Sequence, residues 1–460
     1  MIAPARRIAY RILFQIATSE THSDELLHAP EVDALSAQDR ALATTLVMGT
    51  LRWQLVLDAR IRERLSRPEA KLSPEAATTL RMGAYQLLYL DRVPAHAVIH
   101  DSVELVKEGR ERGAAGMVNA ILRGIHRTGP PGEDTTRGTE AAMLAHPAWM
   151  VERWKLRYGA DAAEAICRWD QEPAATALRV APDGQLADVE TEPGIFLTAA
   201  RRTVRGDVGR SADLREGQAR IQDEASQLVA ELLAGAIPGA KRVLDVCAAP
   251  GGKTAVLAER LPEAEITAID VSRKRLTAMQ RRMPPKLASR IRFELADAAS
   301  LDLNPEWDLI LCDVPCSGTG TMARNPEIRF RVTAADLARQ HARQVAILRA
   351  GLRGLEPGGR FVYSTCSMEP EENESVVADV LSDSPEFQLI PISQILDRLA
   401  ANGIVTRQGR EHLHTATEGN FLRTLPGIHA CDGFFAAMIE RRARSFEDPT
   451  AVRREQIMST

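Results

Sequence analysis

The chain has 460 residues, of which 45% are hydrophobic and 26% are charged. This composition is ordinary for a globular protein in water, and the length predicts two or three domains because a single core rarely grows that large. The formal net charge of −4 excludes a molecule that is basic over its whole surface, although one local basic face would be compatible with it.

The first 128 residues follow the apolar spacing of α-helices. Ile8, Ile12 and Ile16 recur every fourth residue, and residues 118–125 place apolar side chains at positions i, i+3, i+4 and i+7. The start of the chain has no uninterrupted apolar run, so we expect neither a signal peptide nor a membrane anchor there. We predict an all-α helical bundle over 1–128, in a cytoplasmic, monomeric protein that has no membrane partner.

Beyond the bundle the pattern changes twice. Residues 129–145 are rich in Gly, Pro, Thr and charge, which is typical of a linker, and 146–220 mix a helical start with β-like runs, as in a small α+β subdomain. Residues 221–442 alternate strands and helices, which predicts an α/β Rossmann-like domain with a doubly wound parallel sheet, and 443–460 form a C-terminal tail. The predicted strands are 242–246, 265–269, 291–295, 308–312 and 360–364.

A glycine-rich turn follows the first of these strands. Its glycines permit close approach of a ligand, and the helix that begins there directs free N–H groups at that ligand. The spacing matches neither the phosphate-binding P-loop nor the dinucleotide fingerprint, which leaves a ligand with nucleoside and amino-acid parts but no phosphate. The predicted cofactor-binding residues of this turn are Cys247, Ala248, Ala249, Pro250, Gly251, Gly252 and Lys253.

Acidic residues follow the next two strands. Asp270 closes the second strand and Asp297 the third. A carboxylate at such a strand end can accept hydrogen bonds from ribose hydroxyls or from an adenine amino group. The alternative is that each aspartate only forms a turn or caps a helix. Their order behind a glycine-rich turn favours cofactor binding.

Two of the six cysteines lie at the predicted ligand-binding edge of the sheet. Cys316 follows the fourth strand and Cys366 the fifth, in loops at the strand ends where open α/β sheets bind ligands. No cysteine spacing matches a zinc site, so no metal is expected. A buried structural role is the alternative for both cysteines, and it is the interpretation adopted for Cys167, Cys312 and Cys431.

A pair of thiols beside this ligand site has a chemical use if the ligand is a sulfonium methyl donor. Carbon 5 of cytosine is a poor nucleophile, but a thiolate that adds to carbon 6 turns the ring into an enamine whose carbon 5 can attack a sulfonium methyl group. A base must then remove the carbon 5 proton so that the thiol can leave. Amine methylation needs no thiol, because a lone pair is already available. The cysteines therefore favour methylation of a carbon atom.

Five segments resemble the Nol1/Nop2/Sun family of RNA 5-methylcytosine methyltransferases, and together they extend over most of 220–440. They are QDEAS at 222–226, the turn at 247–253, DVPCSG at 313–318, TCS at 365–367 and PEENE at 370–374. Two further segments, LRMGAYQ at 80–86 and MVNAILR at 117–123, resemble the NusB-type RNA-binding bundle.

This resemblance implies a role for each candidate residue. Cys366 would be the nucleophile, Cys316 would assist breakdown of the covalent adduct, and Asp313 would hydrogen-bond the cytosine as the thiolate adds. The implied cofactor is S-adenosylmethionine, and the implied RNA partner is 16S rRNA before full assembly of the subunit. The residues implied to contact the cofactor are 247–253, Asp270, Asp297 and Asp313.

Three arginines after the Cys316 loop are candidates for RNA contact. We expect Arg324, Arg329 and Arg331 to line the rim of the active site and bind phosphates. The alternative is a solvated helix face whose charges form ion pairs. Ala323 stands where many relatives carry a second arginine, so the RNA contact there can differ.

Two other functions are compatible with parts of the sequence. One is the same chemistry on tRNA. The other is a non-catalytic RNA-binding factor built on the helical bundle. The second predicts decay of the catalytic motifs, whereas both cysteines and every element of the cofactor turn are present. Methylation of tRNA therefore stays the open alternative.

Overall fold

The computed structural model describes residues 2–129, 143–206 and 208–443. The predicted linker at 129–145 and the predicted tail at 443–460 lie almost wholly outside these described residues. Within the described ranges, no helix combines the length and the apolar character needed to cross a membrane.

The chain packs into two compact units, which we call the helical unit and the sheet unit. The helical unit comprises Met1–Ala174, Gly318–Thr333 and Leu425–Ala430. The sheet unit comprises Ala175–Ser317, Ala334–Thr424 and Cys431–Thr460. The segment predicted as a small subdomain, 146–220, is thus divided between the two units.

The predicted helical bundle is confirmed at the N-terminus, and the apolar stripe of residues 118–125 faces its core. Val118, Ile121, Leu122 and Ile125 are each at most 4% exposed. Among the residues that the structure describes, the α-helices of this unit are Pro4–Thr18, Ser23–Leu27, Pro30–Asp33, Ala37–Arg52, Gln54–Arg62, Pro74–Tyr89, Ala95–Glu108, Ala115–Thr128, Ala148–Tyr158, Ala160–Trp169 and Ile328–Arg331.

Local sequence determines where two of the bundle helices begin and how closely they pack. Ser36 and Ser73 cap helices of 16 residues by accepting a hydrogen bond from the amide N–H three residues later. At the contact between these helices, a Cβ on Gly49 would lie 2.0 Å from a ring carbon of Tyr85. A larger residue at position 49 would therefore require the Tyr85 ring to move, because packing in a protein interior leaves little room for an added atom.

Arg329 is buried inside the helical unit, which contradicts the prediction that it binds RNA phosphates. It is 1% exposed, and its Nη1 donates to the carbonyl oxygens of Arg52 at 2.8 Å and Ala145 at 3.1 Å. Burial lowers the pKa of its guanidinium to about 10, so the group keeps its charge at neutral pH. The guanidinium therefore donates hydrogen bonds to carbonyl groups inside the unit and is not available to bind a ligand.

The sheet unit contains a small antiparallel sheet and a large mixed sheet. The small sheet has the strand order β2-β3-β1-β4, in which β1 is Ala177–Val180, β2 is Glu190–Pro193, β3 is Ala200–Arg205 and β4 is Ala219–Ile221. The α-helices in the described part of this unit are Ala212–Arg215, Glu224–Ala234, Gly252–Arg260, Arg273–Arg282, Pro285–Ala288, Ala334–Arg353, Glu374–Leu381, Ile392–Ala401 and Arg407–Thr415.

The large sheet has nine strands, which are β5 Arg242–Asp245, β6 Glu265–Asp270, β7 Ile291–Leu295, β8 Trp307–Asp313, β9 Leu355–Thr365, β10 Phe387–Ile390, β11 Thr417–Glu418, β12 Phe421–Thr424 and β13 Phe434–Arg441. Their order in the sheet is β11-β12-β13-β9-β8-β5-β6-β7, with β10 paired to β13.

The five predicted strands correspond to β5–β9, and the pairs that they form with one another are parallel, as predicted. The edge beyond β9 differs from the prediction, because β13 is antiparallel to β9 and β12 is antiparallel to β13. The sheet is therefore mixed. Strand β13 is almost wholly buried, and a continuous apolar run carries no signal for strand direction.

A buried arginine holds the small sheet against the helices that flank the large one. Arg179 of β1 is 3% exposed, and it pairs with Glu231 and Glu259 at 2.8 Å each. Those glutamates lie on the helices Glu224–Ala234 and Gly252–Arg260. Because each charge is paired within the interior, the interaction fixes the two layers to one another.

Asp245, the last residue of β5, carries a buried carboxyl group. It is 1% exposed, and its Oδ2 accepts a hydrogen bond from Thr254 Oγ1 at 2.7 Å. Burial, reinforced by the nearby charge of Asp313, raises its pKa to about 7 against the opposing effects of Thr254 and Lys253. The group therefore changes charge near neutral pH.

We predict that Arg329→Ala lowers the stability of the protein. The substitution leaves a cavity and removes the donor to two carbonyl groups, so the free energy of unfolding should fall by about 3 kcal/mol. Thermal and urea unfolding would measure the change. The matched control is Arg62→Ala at an exposed position, for which a change within about 0.5 kcal/mol is expected. Equal stability of the Arg329 and Arg62 variants would refute the internal role of Arg329.

We also predict that Asp245→Asn changes the pH dependence of stability. The folded chain binds the Asp245 proton more tightly than the unfolded chain, whose carboxyl pKa is about 3.9. Its contribution to stability is therefore full at low pH and is lost as the pH rises through about 7. Between about pH 5 and pH 8 the free energy of unfolding of the variant should therefore rise, relative to that of the wild type, by on the order of 2 kcal/mol.

Urea unfolding at both pH values measures this gain. Asp302→Asn, at an exposed position, is the matched control and should show no comparable gain. A stability difference between Asp245→Asn and wild type that stays the same at both pH values would contradict the prediction.

Candidate active site

The glycine-rich turn lies between β5 and the helix Gly252–Arg260. Gly251 has a φ of 103°, a left-handed conformation that favours glycine. A Cβ at this position would also lie 2.7 Å from Cγ of Met279. Pro250 is exposed and Cys247 is half-buried. The turn is therefore compact on its inner side and open to a ligand on its outer side.

Asp270 is the last residue of β6, Asp297 lies two residues after the end of β7, and their environments differ. Asp270 is 3% exposed; its Oδ1 accepts from the Ser272 N–H at 2.8 Å and its Oδ2 from the Ala249 N–H at 3.2 Å. It thus connects the end of β6 to the glycine-rich turn. Asp297 is exposed and accepts from the Ala299 N–H at 3.1 Å, so it caps the short helix that follows.

Cys316 and Cys366 lie side by side. Their Sγ atoms are 3.4 Å apart, within hydrogen-bonding distance for sulfur, and both side chains are half-buried. The contact joins the loops after β8 and β9, which are neighbouring parallel strands with Asp313 opposite Ser364. Two thiols fifty residues apart in the chain are therefore brought to one point of the sheet edge.

The pKa of the Cys316 thiol is raised well above its usual range. The main cause is its hydrogen bond with Cys366, followed by burial and by the negative charges of Cys366, Glu372 and Asp313. Cys316 therefore keeps its proton at neutral pH, and either thiol can be the donor in the hydrogen bond between the two sulfurs. Burial also raises the pKa of Cys247, so that cysteine is a weak candidate for a nucleophile.

Asp313 is held at the end of β8 by two donors. Lys253 Nζ lies 2.8 Å from its Oδ2, and the Ser364 hydroxyl donates to its Oδ1 at 2.7 Å. The Lys253 ammonium also lies 4.9 Å from the ring centre of Phe434. The Asp313 side chain is 29% exposed, so the carboxylate is oriented by the protein and still reachable by a ligand.

Several side chains of this site were not identified from the sequence. Glu372 was recognised only as part of a motif, yet its carboxylate accepts hydrogen bonds from both cysteine loops. Ser364 and Phe434 were missed because nothing in the sequence around them indicates contact with Asp313 or Lys253. The Pro370–Glu372 motif was the one available signal for the loop contacts.

The arginines predicted to bind RNA belong to the helical unit. Arg329 is buried and cannot reach a phosphate. The guanidinium of the half-buried Arg331 donates to the carbonyl oxygens of Glu20 at 2.9 Å and Thr21 at 2.8 Å, so it too is used within the protein. Arg324 is half-buried, and its contact with RNA stays a prediction.

Three family models match the chain. The model described as 16S rRNA methyltransferase RsmB/F matches residues 236–440, that of the NusB family matches 3–127, and the RsmF/B-like ferredoxin-like domain matches 146–184. The crystal structure of PH0851 shares the fold, with a TM-score of 0.75 and 23% identity over 96% of this chain and 99% of that chain.

Curated relatives are similar over almost their whole length. The probable ribosomal RNA small subunit methyltransferase B of Bacillus subtilis is 32% identical, with 95% of this chain and 98% of the relative aligned. Ribosomal RNA small subunit methyltransferase B of Pseudomonas putida is 33% identical, with 96% of this chain and 99% of the relative aligned. The chain therefore belongs to the RsmB/F family of 16S rRNA methyltransferases and carries a NusB-family domain at its N-terminus.

Proposed function

We propose that the protein methylates carbon 5 of a cytosine in 16S rRNA, with S-adenosylmethionine as methyl donor and Cys366 as nucleophile. The observation that carries the proposal is the 3.4 Å contact between Cys316 and Cys366 beside Asp313. Membership in a family of rRNA methyltransferases supports the class of substrate. The two-thiol arrangement supports methylation of a pyrimidine carbon, because methylation of an amine or a hydroxyl would not use it.

The chemistry of the turn and the strand ends fits S-adenosylmethionine. The helix that begins at Gly252 offers N–H groups, and Asp270 and Asp297 offer carboxylates that can accept from ribose hydroxyls and an adenine amino group. Acidic side chains at three strand ends disfavour a phosphate ligand and suit a cationic sulfonium compound. When bound, this cofactor would supply the electrophilic methyl group.

Cys366 is the better nucleophile of the pair. Either sulfur can be the donor in their contact, so the assignment rests on the family resemblance of the TCS segment at 365–367. As a thiolate, Cys366 would be the attacking group. Addition forms a bond between the Cys366 sulfur and carbon 6 of the cytosine, which makes carbon 5 nucleophilic. Addition places negative charge on the ring, and the ring nitrogen takes up a proton from water; the Asp313 carboxylate, fixed by Lys253 and Ser364, can then accept a hydrogen bond from that N–H.

Cys316 serves the final step. After carbon 5 has been methylated, a base removes its proton, and the electron pair re-forms the double bond between carbons 5 and 6. The bond between carbon 6 and sulfur breaks, and Cys366 leaves as a thiolate. The Cys316 S–H lies 3.4 Å from that sulfur, where its hydrogen bond stabilises the departing charge.

The RNA must present its target base outside a helix. Chemistry on carbons 5 and 6 needs access to the face of the ring, so we expect the cytosine to be unstacked, in RNA that has not fully assembled with ribosomal proteins. The NusB-family domain supports an RNA-binding role for the helical bundle. The same chemistry on tRNA is the alternative that the substrate test must decide.

We predict opposite phenotypes for the two cysteine variants. Cys366→Ala should lower kcat about a thousandfold or more, because no adduct can form. Cys316→Ala should form an adduct that breaks down slowly, so a protein–RNA species should survive denaturing electrophoresis. The assay uses unmodified 16S rRNA and tRNA with a labelled methyl donor.

The matched control is Cys167→Ala, which removes a buried thiol from the helical unit and should leave transfer unchanged. Full activity of Cys366→Ala would disprove the nucleophile assignment. Transfer to tRNA but not to 16S rRNA would leave the chemistry standing and overturn the choice of substrate.

A further inference from the structure

Glu372 lies between the two cysteine loops and accepts hydrogen bonds from both. It is fully buried. From the Cys316 loop, the Ser317 N–H donates to Oε1 at 2.8 Å and the Ser317 hydroxyl to Oε2. From the Cys366 loop, the Ser367 hydroxyl donates to Oε2 at 2.5 Å. The donors are thus the residues directly after each cysteine.

The Glu372 carboxylate is itself held in place. Gln344 Nε2 donates to its Oε1 at 3.2 Å and to the carbonyl oxygen of Pro315 at 2.9 Å, so one amide contacts both the glutamate and the Cys316 loop. The Tyr363 hydroxyl donates to the Glu372 carbonyl oxygen at 2.6 Å. These bonds restrict the carboxylate to one position, as a positioning group requires.

Two direct contacts also join the loops, the contact of the two thiols and a hydrogen bond between the Ser317 and Ser367 hydroxyls at 3.0 Å. The backbone pairing of β8 and β9 ends at Asp313 and Ser364, before either cysteine. The separation of the thiols therefore depends on interactions beyond the sheet. The buried carboxylate supplies the charged acceptor around which these interactions converge, and hydrogen bonds to a charged group are the stronger kind.

We propose that Glu372 is the positioning residue that sets the distance between Cys316 and Cys366, and thereby the rates of adduct formation and adduct breakdown. The catalytic part of this inference depends on the proposed function; the geometric part does not. Glu372 need not touch the RNA or the cofactor. Its function requires an acceptor with two oxygens, because one oxygen serves a main-chain N–H while the other serves two hydroxyls.

Glu372→Gln tests this requirement at constant side-chain volume. The amide keeps one acceptor oxygen and places an NH2 group against donors, so one set of hydrogen bonds must break. We expect kcat to fall about tenfold, with the KM for RNA and the dissociation constant for S-adenosylmethionine unchanged. The matched control is Glu371→Gln, the same chemical change at the preceding, half-buried residue, and it should behave as wild type.

A second measurement reports on geometry without any methyl transfer. Dibromobimane bridges two nearby thiols, and peptide mapping of the full-length protein gives the yield of the Cys316–Cys366 bridge. This yield should fall severalfold in Glu372→Gln and stay unchanged in Glu371→Gln. If Glu372→Gln fails to fold, Ser317→Ala and Ser367→Ala remove one donor each from the same carboxylate and should each lower the yield.

The outcomes separate the two proposals. Wild-type levels of bridging and kcat in Glu372→Gln would overturn the positioning role, and so would a lower kcat with unchanged bridging. Equal losses in the Glu371 variant would also overturn it, since they would show a general effect on folding. Reduced bridging in an enzyme whose wild type methylates no RNA would reject the proposed function and leave the geometric inference standing.

Discussion

The parallel pairing of β8 with β9 is the constraint on which the chemistry of this protein depends. Parallel neighbours end at the same edge of a sheet, so the loops that follow them start side by side. The register that sets Asp313 opposite Ser364 also allows the Ser364 hydroxyl to donate to Asp313. A slip of one residue would turn these side chains to opposite faces of the sheet. The contact between the thiols and the orientation of Asp313 would then be lost together.

Buried charged side chains join further segments of the chain. Arg179 pairs with glutamates on two helices, and Arg329 satisfies carbonyl groups of the helical unit. Glu372 accepts from both cysteine loops. Each of these groups is costly to bury alone and stable only with its partners in place, so each specifies one arrangement of chain segments that are far apart in sequence.

Features that depend on local sequence could be predicted, whereas features that depend on contacts between distant residues could not. Strands β5–β9 and the bundle helices have periodic apolar patterns, and the glycine-rich turn and the cysteine loops have short local signatures. The burial of Arg329 and the hydrogen bonds of Glu372 join residues whose contact no local pattern encodes. The prediction for Arg329 was wrong because the sequence reveals the charge of an arginine but not the groups that accept its hydrogen bonds. The antiparallel direction of β13 was missed for a similar reason, since direction is decided by the connection and not by the strand.

The division of the helical unit among three stretches of chain has a consequence for the order of folding during synthesis. Arg52 and Ala145 leave the ribosome long before Arg329, the buried donor to their carbonyl groups. Residues Leu425–Ala430 come later still, and Gly427 packs so closely that a Cβ on it would lie 2.3 Å from the carbonyl oxygen of Ala165. The N-terminal helices can therefore form early, as domains usually do during translation. The helical unit can be completed only after Ala430 has been translated.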